Sequence, residues 1–172
     1  MAATDHLSCR LEKSPMTIPG TPHDESLQLM QSPVAVIGAA ADGILGGLTC
    51  AWLTRVSTDP PRVVVAIAPE RYTYGLLVVG ECFSVSILGE GQTDVGRLFG
   101  LHSRRDRDKW SETDHVLLEG GVPALAECAA RLLCRLIETV PVGDHDLFVG
   151  EIIGSDVVSG PPALPMRGRD YA

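Results

Sequence analysis

Arg71-Tyr72-Thr73 puts a guanidinium and a hydroxyl at the first turn of a helix-like stretch, Tyr72 to Val79. A helix N-terminus carries unpaired N–H groups and a partial positive charge, so an anion such as a phosphate fits there. Arg71 could grip it in a bidentate fashion, and Thr73 could donate its hydroxyl. The plainer reading has Thr73 capping the helix and Arg71 in solvent. Lys109, in the mixed-charge run 102–115, is a second cation for the same purpose.

A second cluster runs from Gly46-Gly47 through Thr49, Cys50, Ala51 and Trp52 to Ser57 and Asp59-Pro60-Pro61. Two glycines ahead of a strand let a ligand approach the backbone closely. Thr49 and Ser57 offer hydroxyls and Trp52 a stacking face; a core strand with an ordinary hairpin would use the same residues. The third cluster, Gly143-Asp144-His145-Asp146, sets a histidine between two carboxylates just before an apolar strand. Such an imidazole serves as donor or acceptor, although these residue types also make a plain turn. Residue types alone leave all three clusters open.

Other chemistry is absent from the pattern. No GxGxxG or GxxxxGK[ST] occurs, and no GxSxG elbow. The five cysteines are scattered without a CxxC pair, which predicts free, buried thiols in a reducing cytoplasm rather than a metal site. His102 and His115 read as solvated members of a charged surface loop.

The elements that must position these groups are short. Val34 to Ala40 reads as a strand ending in an Asp42-Gly43 hairpin. Gly47 to Val56 reads as a second strand broken by Pro60-Pro61, and Val63 to Ile67 as a third, buried on both faces. Phe83 to Leu88 and Leu147 to Ile153 are further strands, and Gln92 to Leu101 is a second short helix. In Ala126 to Val140, Glu127, Arg131, Arg135 and Glu138 fall at helical spacing, while Cys128, Ala130, Leu132, Cys134 and Leu136 alternate as in a strand. Many short strands with two helices predict a mostly-β barrel or sandwich.

Composition agrees with one globular domain. Of 172 residues, 45% are hydrophobic and 21% charged, and the net charge is −8. That balance argues against a nucleic-acid partner, which needs a basic face. The longest apolar run in the strand-like segments, Val63 to Ala68, is far below the roughly 20 residues that span a bilayer. No secretory signal is recognised, so no membrane association and a cytoplasmic location are expected. Residues 1–28, rich in proline and lacking periodicity, read as a flexible arm, with the domain over 29–172.

Taken together the clusters resemble the flavin reductase-like family. The matching words, in order, are GLTCAWLTRVSTDPPRVVVAI, RYT, CFSVSIL with Gln92, RLFG, DKW, GGVPAL and GDHDLFVGEI. They run from about Val34 to Ile153, with 164–172 similar to the family's closing segment, and the flavoredoxin and ferric-chelate-reductase branch is the most similar. The resemblance implies a homodimeric FMN-binding split β-barrel with short helices, and a strand at Ala126 to Val140. It implies hydride transfer from NADH or NADPH to FMN, or to FAD in its place, with reduced flavin passed to a partner monooxygenase. A flavoredoxin-type electron carrier without NAD(P)H turnover is the alternative. By position, Gly47, Thr49, Cys50, Ala51 and Trp52 would line the flavin and Ser57 would lie by the ring edge. Arg71 and Thr73 would hold the phosphate, Lys109 would reach the cofactor, and His145 would serve catalysis beside ring and nicotinamide. Gly46-Gly47 stands where relatives often carry an asparagine, which removes one polar side-chain contact to FMN.

Overall fold

The computed structural model describes Leu27, residues 29–158 and residues 162–165. The chain divides into two units, Met1–Met30 and Gln31–Ala172, and all elements below belong to the second. The expected arm over 1–28, apart from Leu27, lies outside the described residues, as do Cys9 and residues 166–172.

Among the described residues nine strands form: β1 (Ala35–Ala41), β2 (Ile44–Cys50), β3 (Leu53–Thr58), β4 (Pro61–Ile67), β5 (Cys82–Ile87), β6 (His115–Leu117), β7 (Pro123–Leu125), β8 (Ala130–Pro141) and β9 (Asp146–Val157). Helix α1 (Tyr72–Val79) joins β4 to β5, and α2 (Thr93–Leu101) follows β5. Seven strands make one sheet in the order β2-β1-β5-β8-β9-β4-β3, while β6 and β7 pair separately. Every pairing is antiparallel.

The sheet is rolled. Ile37, Leu48, Leu53, Val65, Phe83, Cys134 and Phe148, one from each of the seven strands, meet in a single buried cluster. Removing such side chains from water contributes roughly 1.5–3 kcal/mol each, which sets the inward register of every strand. The two edge strands, β2 and β3, are consecutive in the chain and joined by Ala51-Trp52. The expected mostly-β split barrel therefore forms, and its seam is crossed by the chain itself. A second cluster, including Val36, Phe99, Trp110 and Leu125, packs α2 and the β6–β7 hairpin onto the outside of β1.

Several expectations need correction. The single strand over Gly47 to Val56 is interrupted at Ala51-Trp52, because β2 and β3 occupy opposite edges. The third strand alternates instead of being buried on both faces: Val63, Val65 and Ile67 face the core, while Val64 and Ala66 are half-buried. Pro61 opens β4, a strand-initial position that needs no ladder donor. The run 102–115 is not wholly surface, since a short 3-10 turn, Lys109–Glu112, buries Lys109 and Trp110, and His115 begins β6. Asp42 and Gly43 both adopt positive φ, 51° and 77°, as the predicted hairpin requires.

Of the ambiguous segment Ala126 to Val140, residues 130–140 lie in strand β8, as the resemblance implied, while 126–129 form a bend ahead of it. Arg131 and Arg135, which had suggested a helical polar face, sit opposite Asp156 and Glu151 on β9 and pair with them across the ladder. Hydrogen bonding on both sides, to β5 and β9, outweighs its helical pattern.

Candidate functional site

A cleft of about 250 Å³ opens between the start of α1 and the loop after α2. Helix α1 begins after Arg71, whose backbone is extended, and no side chain caps it. The first-turn amides of Tyr72 and Thr73 thus lack intrahelical partners at the cleft wall, where Arg71, Thr73 and Gly47 also lie. Four cationic side chains, Arg71, Arg104, Arg105 and Lys109, line it against two carboxylates, Glu70 and Asp106.

Two of the cations are committed to the wall. Arg104 donates to the Leu45 carbonyl at 3.2 Å and pairs with Asp108 at 3.3 Å. Arg105 lies 5.6 Å from the Tyr72 ring centroid and donates to the Glu70 carbonyl. Lys109 is only 2% exposed. Its Nζ donates to the carbonyls of Phe99 and His102, 3.1 and 2.7 Å away, at the C-terminal end of α2. Cations favour that end of a helix, and the third ammonium proton remains for a ligand. Burial, and secondarily the Arg71 charge, pulls its pKa down to about 8.

Gly46 and Gly47 do not simply leave β2 open. A Cβ at Gly46 would collide with Leu76 of α1, and one at Gly47 would stand 2.7 Å from the Phe99 ring and 2.9 Å from Trp110. The glycines bring both helices onto the strand, and only Gly47 reaches the cleft. Thr49 spends its hydroxyl on the Gly96 carbonyl, at 2.6 Å, tying β2 to α2. Cys50 points into the barrel core, donates weakly to the Trp52 carbonyl, and has its pKa pushed up to about 11 by burial.

The second half of the site lies at the seam. Trp52 is exposed, and its ring packs on His145 with centroids 4.6 Å apart and planes tilted by 52°. His145 Nδ1 is 2.9 Å from Asp144 Oδ1, which leaves Nε2 as the unengaged nitrogen of that pairing. Asp144 is held below the usual carboxylate range by that hydrogen bond and the histidine charge. The halves are linked through β4: the Ala66 N–H donates to the Trp52 carbonyl, and Arg71 opens α1 five residues later.

The structure therefore brings Arg71, Thr73, Lys109 and Gly47 together, and brings Trp52 to His145. Ser57 is placed apart, opposite Arg62 at the far end of β3, five residues or about 17 Å along the strand from Trp52. Sequence reasoning missed Arg104, Arg105 and Tyr72 as cleft residues. The signal was the density of arginine in SRRDR, masked by interleaved aspartates. Among the described residues no group of three or more metal-ligating side chains occurs, and no helix is long and apolar enough to cross a membrane.

The donor set fits a flavin phosphate: two free helix amides, a hydroxyl, an exposed guanidinium and a buried ammonium converge on one cleft, with an aromatic pair beyond it. Comparison with known proteins finds similar chains. A NADH:riboflavin 5'-phosphate oxidoreductase of Streptomyces pristinaespiralis is 34% identical over 143 residues, covering 82% of this chain and 78% of that one. The reductase component of a 4-nitrophenol 4-monooxygenase/4-nitrocatechol 2-monooxygenase from Rhodococcus opacus is 30% identical over 138 residues, 80% of this chain and 72% of its own. The chain spans about half the length, 51%, of a relative from Aeropyrum pernix that is 35% identical over 133 residues, 74% of this chain. In three dimensions it is similar to an FMN-binding protein from Thermus thermophilus, at a TM-score of 0.78 and 32% identity over 92% of this chain and 91% of that one. The model of the flavin reductase like domain matches residues 27–172, and the chain belongs to that family.

Proposed function

We propose that this chain is an NAD(P)H-dependent flavin reductase that uses FMN. The observation carrying the reading is the convergence of Arg71, Thr73 and Lys109 on one cleft, joined through β4 to the Trp52–His145 pair. When bound, FMN supplies the acceptor for the hydride of NADH or NADPH. Arg71 and the α1 amides hold the phosphate dianion, and Lys109 adds a charge-assisted donor from a buried position. Gly47, the backbone of Ala51 and the Trp52 corner line the approach to the ring. His145, with Nδ1 toward Asp144, offers Nε2 to the reacting end of the site and orients the nicotinamide.

No nucleophile is needed, and the buried thiols supply none: Cys50, Cys128 and Cys134 have pKa values pushed up by burial, well away from neutrality. The named activities of the relatives support reduced flavin as a product handed to a partner monooxygenase. A two-fold dimer is the expected assembly, supported by the apolar side chains left uncovered at the seam and on its edge strand β3, Trp52 and Val56.

Absorption spectra of the purified protein, titrated with FMN and then with NADH, test this reading. The expected result is saturable FMN binding and catalytic NADH oxidation with excess FMN. A protein that binds FMN but does not turn over NADH or NADPH would be an electron carrier instead. Light scattering on the same sample is expected to give twice the chain mass.

A further inference from the structure

Among the described residues Trp52 is the only aromatic side chain that stands mostly in solvent, at 62% exposure. An indole so placed forgoes the burial that normally holds it. Its backbone, however, is firmly fixed. The Trp52 carbonyl accepts the Ala66 N–H at 2.9 Å and the Cys50 thiol at 3.4 Å, and the next residue, Leu53, is buried in the core. Trp52 thus stands on a rigid corner with two side-chain torsions to define its ring.

That ring is already engaged. His145 packs against it at 4.6 Å, and the histidine side chain is 26% exposed. The other contact of the imidazole, to Asp144, involves a carboxylate that is 92% exposed. Such a pair is weak in water and easily replaced by solvent. Asp144 also follows Gly143, whose φ of 152° marks a turn rather than a rigid element. The contact with a fixed partner is therefore the one with Trp52.

We propose that Trp52 is a positioning residue for His145: the indole is the platform that fixes the imidazole, with Nε2 free, rather than a surface that stacks on the flavin. The proposal rests on the reading that His145 serves hydride transfer. It assigns Trp52 an indirect role in place of the direct contact implied by resemblance.

The first test needs no flavin. In NMR spectra of the flavin-free protein, the His145 ring protons, identified by their loss in His145→Ala, are expected to be displaced upfield by the indole ring current. Trp52→Leu is expected to return them to ordinary positions, and Trp52→Phe to retain part of the displacement. The second test is a double-mutant cycle read by stopped-flow reduction of bound FMN. Trp52→Leu and His145→Ala are each expected to slow the step by about tenfold, and the double variant to be no slower than His145→Ala. Trp52→Phe should recover most of the loss. Multiplicative losses, or undisplaced ring protons in the wild type, would overturn the platform role while leaving His145 in the site. An unchanged rate in His145→Ala would instead overturn the reading of His145, and the proposal with it.

Discussion

The Tyr74 hydroxyl donates a 2.6 Å hydrogen bond to Asp146 Oδ2, joining helix α1 to the first residue of β9. Arg71 starts that helix and His145 precedes that strand, so this bond, beside the β4–β9 pairing, ties the backbone at the cleft to the backbone that carries His145. The Tyr74 ring meets Phe148 edge-on at 5.2 Å, which holds the phenol independently of the bond. Tyr74→Phe keeps that packing and removes only the hydroxyl. The expected outcome is a roughly fivefold lower kcat, the kinetic equivalent of one modest net hydrogen bond. Steady-state kinetics beside a melting curve check it; a lower melting temperature with unchanged kcat would confine Tyr74 to stability.

Arg71 is exposed at the mouth of the cleft and opens the helix whose amides face it. Arg71→Ala is expected to weaken FMN by about 1.5–3 kcal/mol, the scale of a hydrogen bond to a charged group. Riboflavin, which has no phosphate, should be almost unaffected. Fluorescence titration of both ligands decides the matter, and equal losses would place Arg71 elsewhere.

Lys109 is expected to make FMN binding weaken at alkaline pH. Its pKa, pulled down to about 8, means that the ammonium is charged below that pH and neutral above it. FMN affinity is expected to fall through pH 8, by roughly tenfold when one charge-assisted contact is lost. Stability moves the other way. A lysine with a depressed folded pKa contributes stability that is present above its ordinary value of 10.5 and lost as pH falls through 8. Lys109→Met should bind FMN weakly at every pH, and its flat profile would separate this lysine from other groups.

Two glycines give opposite outcomes on substitution. At Gly47 a Cβ would meet Phe99 at 2.7 Å and Trp110 at 2.9 Å, and Gly47→Ala is expected to cost about 1–3 kcal/mol through overpacking. At Gly75, exposed in the middle of α1 with nothing within 4 Å of the added methyl, Gly75→Ala should stabilise by about 0.5–1 kcal/mol. Urea denaturation of both variants, taken with FMN titration, shows whether the helix–strand contact at Gly47 also shapes the cleft.

The anion half of the site was the more legible part. Arg71 and Thr73 stand at a local feature, a helix start within three residues, which short-range pattern reveals. Lys109 was legible as a cation but not as a buried one. Its interaction with Phe99 and His102 depends on a 3-10 turn folding back onto the end of α2. Thr49 was read as a donor to a ligand because its partner, the Gly96 carbonyl, lies 47 residues away.

Composition, strand alternation and turn chemistry determined a mostly-β chain with hairpins at Asp42-Gly43 and near Pro60-Pro61, the two helices Tyr72–Val79 and Thr93–Leu101, and a guanidinium and hydroxyl at the start of the first. These features depend on torsional preference and on which side chains leave water, both set within a few residues. Tertiary structure alone decided the break at Ala51-Trp52 and the meeting of Trp52 with His145, and it settled the strand identity of β8, which local pattern left open and only the resemblance implied. Closing the barrel sends β2 and β3 to opposite edges, surrounds β8 with two hydrogen-bonding partners, and brings residues 93 positions apart into ring contact. Such pairings depend on which distant strands become neighbours, and no local periodicity encodes that.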